Sequence, residues 1–128
     1  MTDDRLLSAA REAAERAYAP YSGFRVGAAL SSESGEIHTG ANVENAAFPS
    51  GTCAEATAVA HAVSTGIRRI ETVAVACIDA ASVEVAVSCG RCRQIMSEFG
   101  VRRVLVTSGD GAVRAFDFAE LFPHPFRI

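Results

Sequence analysis

The nearly continuous apolar stretch at residues 70–80 predicts a strand that is buried on both faces of a sheet. A strand of this kind needs other elements packed above and below it. A second buried strand is predicted at residues 102–107, and residues 88–100 between the two predict a helix that ends at Gly100. These segments together favour a sheet that is covered by helices on both faces.

The other segments complete the same architecture. They predict a first helix at residues 2–19 and a hairpin whose strands are residues 24–31 and 36–43. A loop at residues 46–52, a second helix at residues 53–65 and a final short strand at residues 112–116 follow. Thr2 can cap the first helix and Pro20 ends it, while Ser34 and Gly35 form the hairpin turn. We therefore predict a three-layer α/β/α sandwich with a mixed five-stranded sheet, in a single domain that spans residues 1–128.

Charge and composition exclude several classes of function. All twelve basic residues are arginines, so the chain has no lysine for a Schiff base, for pyridoxal phosphate or for a P-loop. The net charge is −3 and the arginines are scattered, which argues against long nucleic acids as partners. The acidic N-terminal segment is not typical of a signal peptide, and the longest purely apolar run is too short to span a bilayer. We expect a soluble cytoplasmic protein that acts on a small molecule.

Three of the four cysteines lie at predicted helix starts. Cys53 begins one helix, and Cys89 with Cys92 begins the next. Thiols in a cytoplasmic protein are reduced, and a helix N-terminus lowers the pKa of a nearby thiol because its N–H groups are partly positive. Three thiolates can hold one zinc ion and leave its fourth position open to water, whose pKa zinc lowers toward neutrality. This arrangement predicts a catalytic metal.

Glu55 follows the first of these cysteines by two residues. It is close enough to reach the open position of the metal without being a ligand, and a carboxylate there can carry protons between water and substrate. A ligand-x-Glu segment followed by a cysteine pair is the pattern of the zinc nucleobase deaminases. The fourth cysteine, Cys77, lies within a predicted buried strand, where a thiol packs as a small apolar group.

Four segments, in order, make the chain resemble the short, homotetrameric, three-cysteine cytidine deaminases: 21–29 (YSGFRVGAA), 40–46 (GANVENA), 53–55 (CAE) and 89–94 (CGRCRQ). The resemblance implies hydrolytic deamination of cytidine or deoxycytidine in pyrimidine salvage, with a Zn²⁺ cofactor. It implies that zinc is bound by Cys53, Cys89 and Cys92. It also implies that Glu55 carries the protons.

The same resemblance implies five substrate contacts. Asn42 and Glu44 would bind the ribose hydroxyls, and Phe24 would pack beside the pyrimidine. The backbone of Ala54 and Ser88 would meet the edge of the base. An aromatic C-terminal segment would cover the site of a neighbouring subunit, although it can also pack on its own domain; its phenylalanines are Phe116, Phe118, Phe122 and Phe126.

Three positions depart from the family's usual pattern. Ser88 stands where many relatives have proline, Ala56 where many have arginine, and Phe48 where many have tyrosine. Because three thiolates and one zinc ion sum to a charge of −1, we hypothesise that Arg91 supplies the compensating charge beside the metal.

Two alternatives to cytidine deamination stay open. The segment CGRC also occurs in blasticidin S deaminases, so the substrate could be a modified cytosine nucleoside. The other alternative is a zinc-binding scaffold without turnover, against which Glu55 argues. A redox dithiol leaves Cys53 and Glu55 unexplained.

Overall fold

The computed structural model describes residues 2–128, and its centre is a five-stranded sheet. The strands are β1 (Val26–Ser32), β2 (Ile37–Ala41), β3 (Ile70–Cys77), β4 (Arg103–Ser108) and β5 (Val113–Asp117). Their order across the sheet is β2-β1-β3-β4-β5. Only the β3–β4 pair is parallel among the strand pairs of these residues, so the predicted mixed sheet is confirmed.

Helices cover both faces of the sheet. They are α1 (Asp3–Ala14), α2 (Ala54–Ser64), α3 (Gly90–Glu98) and α4 (Phe118–Leu121). The side chains that point to one face of β1, β3 and β4 form a core with α1, and those that point to the other face form a core with α2, α3 and α4. The predicted three-layer α/β/α arrangement is therefore confirmed.

The first helix and the second strand are shorter than predicted. Helix α1 ends at Ala14 and not at residue 19, because the chain turns so that the Tyr18 N–H donates to the Asn42 carbonyl at 3.0 Å. Strand β2 ends at Ala41 and not at residue 43. There the side chain of Asn42 replaces its own carbonyl as the acceptor for the Val26 N–H, at 2.8 Å. One amide side chain therefore ends the regular pairing of the strand.

Three short helical segments are absent from the sequence prediction. Two are 3₁₀ turns, Phe48–Ser50 and Val83–Val85, and the third is α4, whose start is stabilised by a capping box between Asp117 and Glu120. Segments of three or four residues are too short to show a helical period. Within residues 2–128 no helix has the length and apolar character needed to cross a membrane.

Candidate metal centre and active site

The three predicted ligands converge beyond the carboxyl end of β3. Cys53 is the N-cap residue of α2, Cys89 is the N-cap residue of α3, and Cys92 lies in the first turn of α3. Their sulfur atoms all lie within 4.8 Å of one another. Both helices are attached to the same face of the sheet, so their N-termini bring together cysteines that are distant in sequence.

This donor set fits zinc. Thiolate sulfurs bound at about 2.3 Å in tetrahedral geometry lie about 3.8 Å apart, within the spread of this cluster. Two helix N-termini direct partial positive charge toward the thiolates, which stabilises their charged form. Three protein ligands leave one position of a tetrahedral metal free for catalysis.

The thiols of the cluster interact with one another. The Cys92 thiol donates to the sulfur of Cys53 and thereby lowers the pKa of Cys53 to about 6, although burial and Glu55 oppose this. The same hydrogen bond, together with burial, raises the pKa of Cys92. Cys77 lies apart from this cluster: its Sγ faces the Ala86 carbonyl at 3.5 Å, and burial raises its pKa to about 12. Cys77 is thus a packed core thiol, as predicted.

Glu55 is the acidic group beside the cluster. It lies in the first turn of α2 and is only 5% exposed. Its negative charge raises the pKa of the surrounding thiols, among them Cys53 and Cys92. A buried carboxylate at this place can exchange protons with a group bound at the free position of a metal.

A cavity of about 680 Å³ opens next to the cysteines, within the usual size range of small-molecule sites. Cys53, Glu55 and Cys89 contribute to its wall. The structure places all five predicted substrate-contact residues along the same wall: Phe24, Asn42, Glu44, Ala54 and Ser88. Residues from four separate segments therefore face one space.

The two predicted sugar-binding side chains also organise the cavity wall. Oε1 of Glu44 accepts from the backbone N–H groups of Tyr21 and Ser22 at 2.9 and 3.1 Å, and Oε2 accepts from the Ser22 hydroxyl. This hydroxyl, above all, lowers the pKa of Glu44. The amide of Asn42 donates to the Phe24 carbonyl at 2.9 Å. A carboxylate and an amide keep further lone pairs and one N–H for a ligand.

Two of the residues that depart from the family's pattern, and the arginine that is predicted to supply the compensating charge, lie in different environments. Phe48 is exposed at the mouth of the cavity, where its ring meets Tyr21 edge to face at 6.1 Å. Ala56 is buried in the core below α2. The side chain of Arg91 is exposed and makes no hydrogen bond or ion pair with any residue between 2 and 128; after the hydrogen bond from Cys92, its charge makes a small further contribution to lowering the pKa of Cys53.

Sequence reasoning missed two residues of α3 that hold the chain around the cluster. Arg93 donates from Nε to the Ser88 carbonyl at 2.8 Å and from Nη1 to the Leu121 carbonyl at 2.7 Å. The side chain of Gln94 exchanges two hydrogen bonds with the backbone of Phe126. Both residues belong to the segment CGRCRQ, but Leu121 and Phe126 lie in the C-terminal segment, so the local sequence pattern does not predict these contacts.

The C-terminal phenylalanines are divided between core and surface. Phe118 is buried, and Phe116 and Phe122 are half-buried against the same core. Phe126 is 74% exposed although its backbone is held by Gln94. The greater part of the aromatic segment therefore packs on its own chain, and Phe126 presents its ring outward.

Comparison with known proteins agrees with this geometry. The family described as "Cytidine and deoxycytidylate deaminase zinc-binding region" matches residues 1–108. A protein named cytidine deaminase from Sporosarcina psychrophila is 42% identical over 129 residues, covering 98% of this chain and 92% of that protein. One from Mycobacterium tuberculosis (strain H37Rv) is 41% identical over 119 residues, covering 93% of this chain and 85% of that protein.

Solved structures give the same result. The crystal structure of cytidine deaminase from Burkholderia pseudomallei has a TM-score of 0.89 and 40% identity, covering 98% of this chain and 100% of that chain. That from Mycobacterium tuberculosis has a TM-score of 0.81 and 33% identity, with both chains covered in full. The sequence match and the fold agree over nearly the whole chain. The chain belongs to the cytidine and deoxycytidylate deaminase family.

Proposed function

We propose that this protein is a zinc-dependent cytidine deaminase that hydrolyses cytidine or deoxycytidine to uridine or deoxyuridine and ammonia. The observation that carries the proposal is the cluster of three thiols with a buried carboxylate on the wall of a nucleoside-sized cavity. Zinc would be held by Cys53, Cys89 and Cys92. When bound, zinc would act as a Lewis acid and lower the pKa of a water molecule toward neutrality.

Glu55 is the proposed catalytic acid and base. Its carboxylate takes a proton from the attacking water and delivers it to the ring nitrogen of the pyrimidine. A second proton passes through Glu55 to the departing amine, so that ammonia leaves and the water's oxygen stays on the ring carbon. The low exposure of Glu55 supports this role, because a buried carboxylate exchanges protons with its bound partner and not with bulk water.

Substrate binding is assigned to the cavity wall. Glu44 accepts hydrogen bonds from the sugar hydroxyls, and Asn42 donates to them or accepts from them. Both use the lone pairs and the N–H that their backbone contacts leave free. Phe24 packs beside the pyrimidine, and the backbone of Ala54 and Ser88 meets the edge of the base. These assignments are supported by the common position of the five residues on one cavity.

Arg91 is proposed to offset the negative charge of the metal site through space. Its charge already lowers the pKa of Cys53, in keeping with this role. Replacing it by alanine is expected to weaken zinc binding. Unchanged zinc affinity and turnover in Arg91→Ala would contradict the assignment.

We also propose that residues 1–128 form one domain that assembles as a homotetramer in the cytoplasm. The four cysteines are free, which suits a reducing compartment. The exposed ring of Phe126 supports the idea that the C-terminal phenylalanines reach a neighbouring site. A monomer on a sizing column at micromolar concentration would contradict the tetramer.

The first test is ammonia release from cytidine by the purified, zinc-loaded protein. We expect release that stops when the metal is removed and returns when zinc is added. Absence of release, with one zinc still bound per chain, would contradict the proposal. Release from a modified cytosine nucleoside alone would then assign the protein to that substrate, and release from neither would assign it to a scaffold role.

A further inference from the structure

Residues of α3 that follow the metal cysteines connect the metal site to the C-terminal segment of the chain. We propose that Arg93 is a positioning residue that holds Cys89 in place by fixing the carbonyl before it, and that α4 braces Arg93 in turn. The inference rests on the proposed function for its effect on turnover. Its effect on metal binding stands independently, because it concerns only the geometry of the cysteines.

Arg93 is bonded on both sides of Cys89. Its side chain donates from Nε to the Ser88 carbonyl at 2.8 Å, and its backbone N–H donates to the Cys89 carbonyl at 3.0 Å. Two consecutive carbonyls are therefore fixed by one residue. Because Ser88 is only 4% exposed and lines the cavity, this contact fixes part of the site's wall as well as the ligand's backbone.

The second arm of the guanidinium makes this contact rigid. Nη1 of Arg93 donates to the Leu121 carbonyl at 2.7 Å, so the planar group is held between two acceptors in different parts of the chain. Leu121 is buried and ends α4, whose start is closed by the capping box of Asp117. A planar fork held at both ends loses the rotational freedom that a single contact would leave.

Gln94 provides the matched comparison for this contact. It follows Arg93 on the same helix, and its amide pairs with the backbone of Phe126 at 3.0 and 3.1 Å. The side chain of Gln94 thus holds the C-terminal segment, and its hydrogen bonds do not include Ser88 or Cys89. If the C-terminal segment alone mattered, loss of either side chain would have the same effect.

The experiment compares Arg93→Met, Arg93→Lys and Gln94→Met with Arg16→Met, which removes an exposed arginine whose side chain pairs with Glu12 and not with the cysteine segment. Zinc affinity is measured by competition with a chromophoric chelator. The cobalt-substituted proteins are compared by their thiolate-to-cobalt absorption, and kcat and KM are measured for cytidine. We expect Arg93→Met to lower zinc affinity about 10- to 100-fold, the range found when a group supporting a metal ligand is lost. The cobalt absorption should shift, and kcat should fall more than KM rises.

Arg93→Lys should lie between Arg93→Met and the unchanged protein, because an ammonium keeps the charge but does not reach both carbonyls as a planar fork does. Gln94→Met should lower the melting temperature while zinc affinity stays within about twofold of the unchanged protein, as expected for a contact outside the metal's supporting groups. The proposal is overturned if Arg93→Met changes only the melting temperature, or if it matches Gln94→Met or Arg16→Met in zinc affinity and cobalt absorption. If the unchanged protein binds zinc but releases no ammonia, the proposed function fails, while the zinc and cobalt measurements still decide the role of Arg93.

Discussion

At the scale of single residues, the role proposed for Glu55 can be tested separately from metal binding. It lies beside the cluster of three thiols and is not one of its members. We expect Glu55→Gln to retain one zinc per chain and the native melting temperature within a few degrees. Turnover of cytidine should fall about 10²- to 10⁴-fold, the usual contribution of a general acid or base.

Metal content and steady-state rates of Glu55→Gln check this prediction, with Glu33→Gln as a control at an exposed turn position. Activity above a tenth of the original would remove Glu55 from the mechanism. Loss of zinc would show that the carboxylate supports the metal-binding cysteines. The Glu55→Asp variant is measured in parallel to test proton transfer in that case. That variant keeps the charge and shortens its reach.

Another single-residue contact sets a pH dependence. The carboxylate of Asp79 accepts from Nε and Nη2 of Arg25, both at 2.9 Å, and from the Arg25 backbone N–H at 2.8 Å. Arg25 thereby lowers the pKa of Asp79 to about 2. A carboxyl group whose pKa is lowered by folding stabilises the folded state above its ordinary pKa, and this stabilisation is lost as the pH falls from about 4 toward 2.

We therefore expect Asp79→Asn to lower the free energy of unfolding at pH 7 by about 1 kcal/mol, as for well-formed pairs that are partly exposed. The difference between the variant and the unchanged protein should shrink below pH 4. Denaturant unfolding at several pH values measures this difference in the free energy of unfolding. The contribution from protonation of the cysteines cancels, because it is the same in both proteins. A difference that stays constant from pH 7 to pH 3 would contradict the assigned pKa.

At the scale of elements, the two faces of the sheet are matched to different helices. On the face toward α1, β1 and β3 carry the small side chains of Ala29, Ala74 and Ala76, which lie beside Leu105 of β4 and receive the leucines of that helix. The opposite face carries valines, and α2 presents mostly alanines to it. Large side chains meet small ones on both faces, which allows close approach without cavities.

Gly40 shows how close this approach is. A Cβ atom at Gly40 in β2 would lie 2.5 Å from the backbone nitrogen of Ala58 in α2. Cys53 is the N-cap residue of α2, so the packing of β2 against α2 also bears on the position of Cys53. We expect Gly40→Ala to lower the free energy of unfolding by about 1–3 kcal/mol, as overpacking does, and to weaken zinc binding by displacing α2.

Urea unfolding of the zinc-loaded proteins measures the effect of Gly40→Ala. Gly90→Ala serves as the control for adding a methyl group, since nothing lies within 4 Å of the position its Cβ would take. Equal stability of Gly40→Ala and the unchanged protein would show that α2 moves away from β2 without cost. The close backbone contact would then have no part in positioning Cys53.

At the scale of the whole molecule, the metal would join two helices that the backbone connects only through β3. Chelation should therefore release the N-termini of α2 and α3 from each other while the two cores stay formed. We expect the zinc-free protein to have a free energy of unfolding about 4 kcal/mol lower than that of the protein in free zinc at about 1,000 times the Kd.

Hydrogen exchange checks where this loss occurs. Exchange should accelerate at residues 51–56 and 86–93, and it should change little in β3, which lies between the two cores. Protection lost evenly over the chain would show that the metal site and the sheet unfold together. Unchanged melting temperature after complete zinc removal would contradict a link between the two helices.

Much of this protein could be predicted from local sequence pattern. Apolar patterns, together with turn residues and helix-ending glycines, indicate all five strands and helices α1, α2 and α3, because burial on one or both faces leaves a signature in neighbouring positions. A metal site is indicated by cysteines at two predicted helix starts, Cys53 and Cys89, and an acid–base group by Glu55 two residues after the first. These few residues are enough for both predictions because their side chains carry the chemistry. The substrate, the five substrate contacts and the assembly of subunits were predicted from the resemblance to a known family.

The tertiary structure decided features that depend on partners far away in sequence. Strand β2 ends at Ala41 because the Asn42 amide takes over backbone hydrogen bonds with residues of another strand and the loop before it. The guanidinium of Arg93 joins the Ser88 carbonyl to the Leu121 carbonyl at the end of α4, 28 residues further along the chain than Arg93. A side chain that bonds to distant backbone leaves no period and no spacing in the sequence. Such contacts exist only once the packing of the sheet and helices has brought the two segments together.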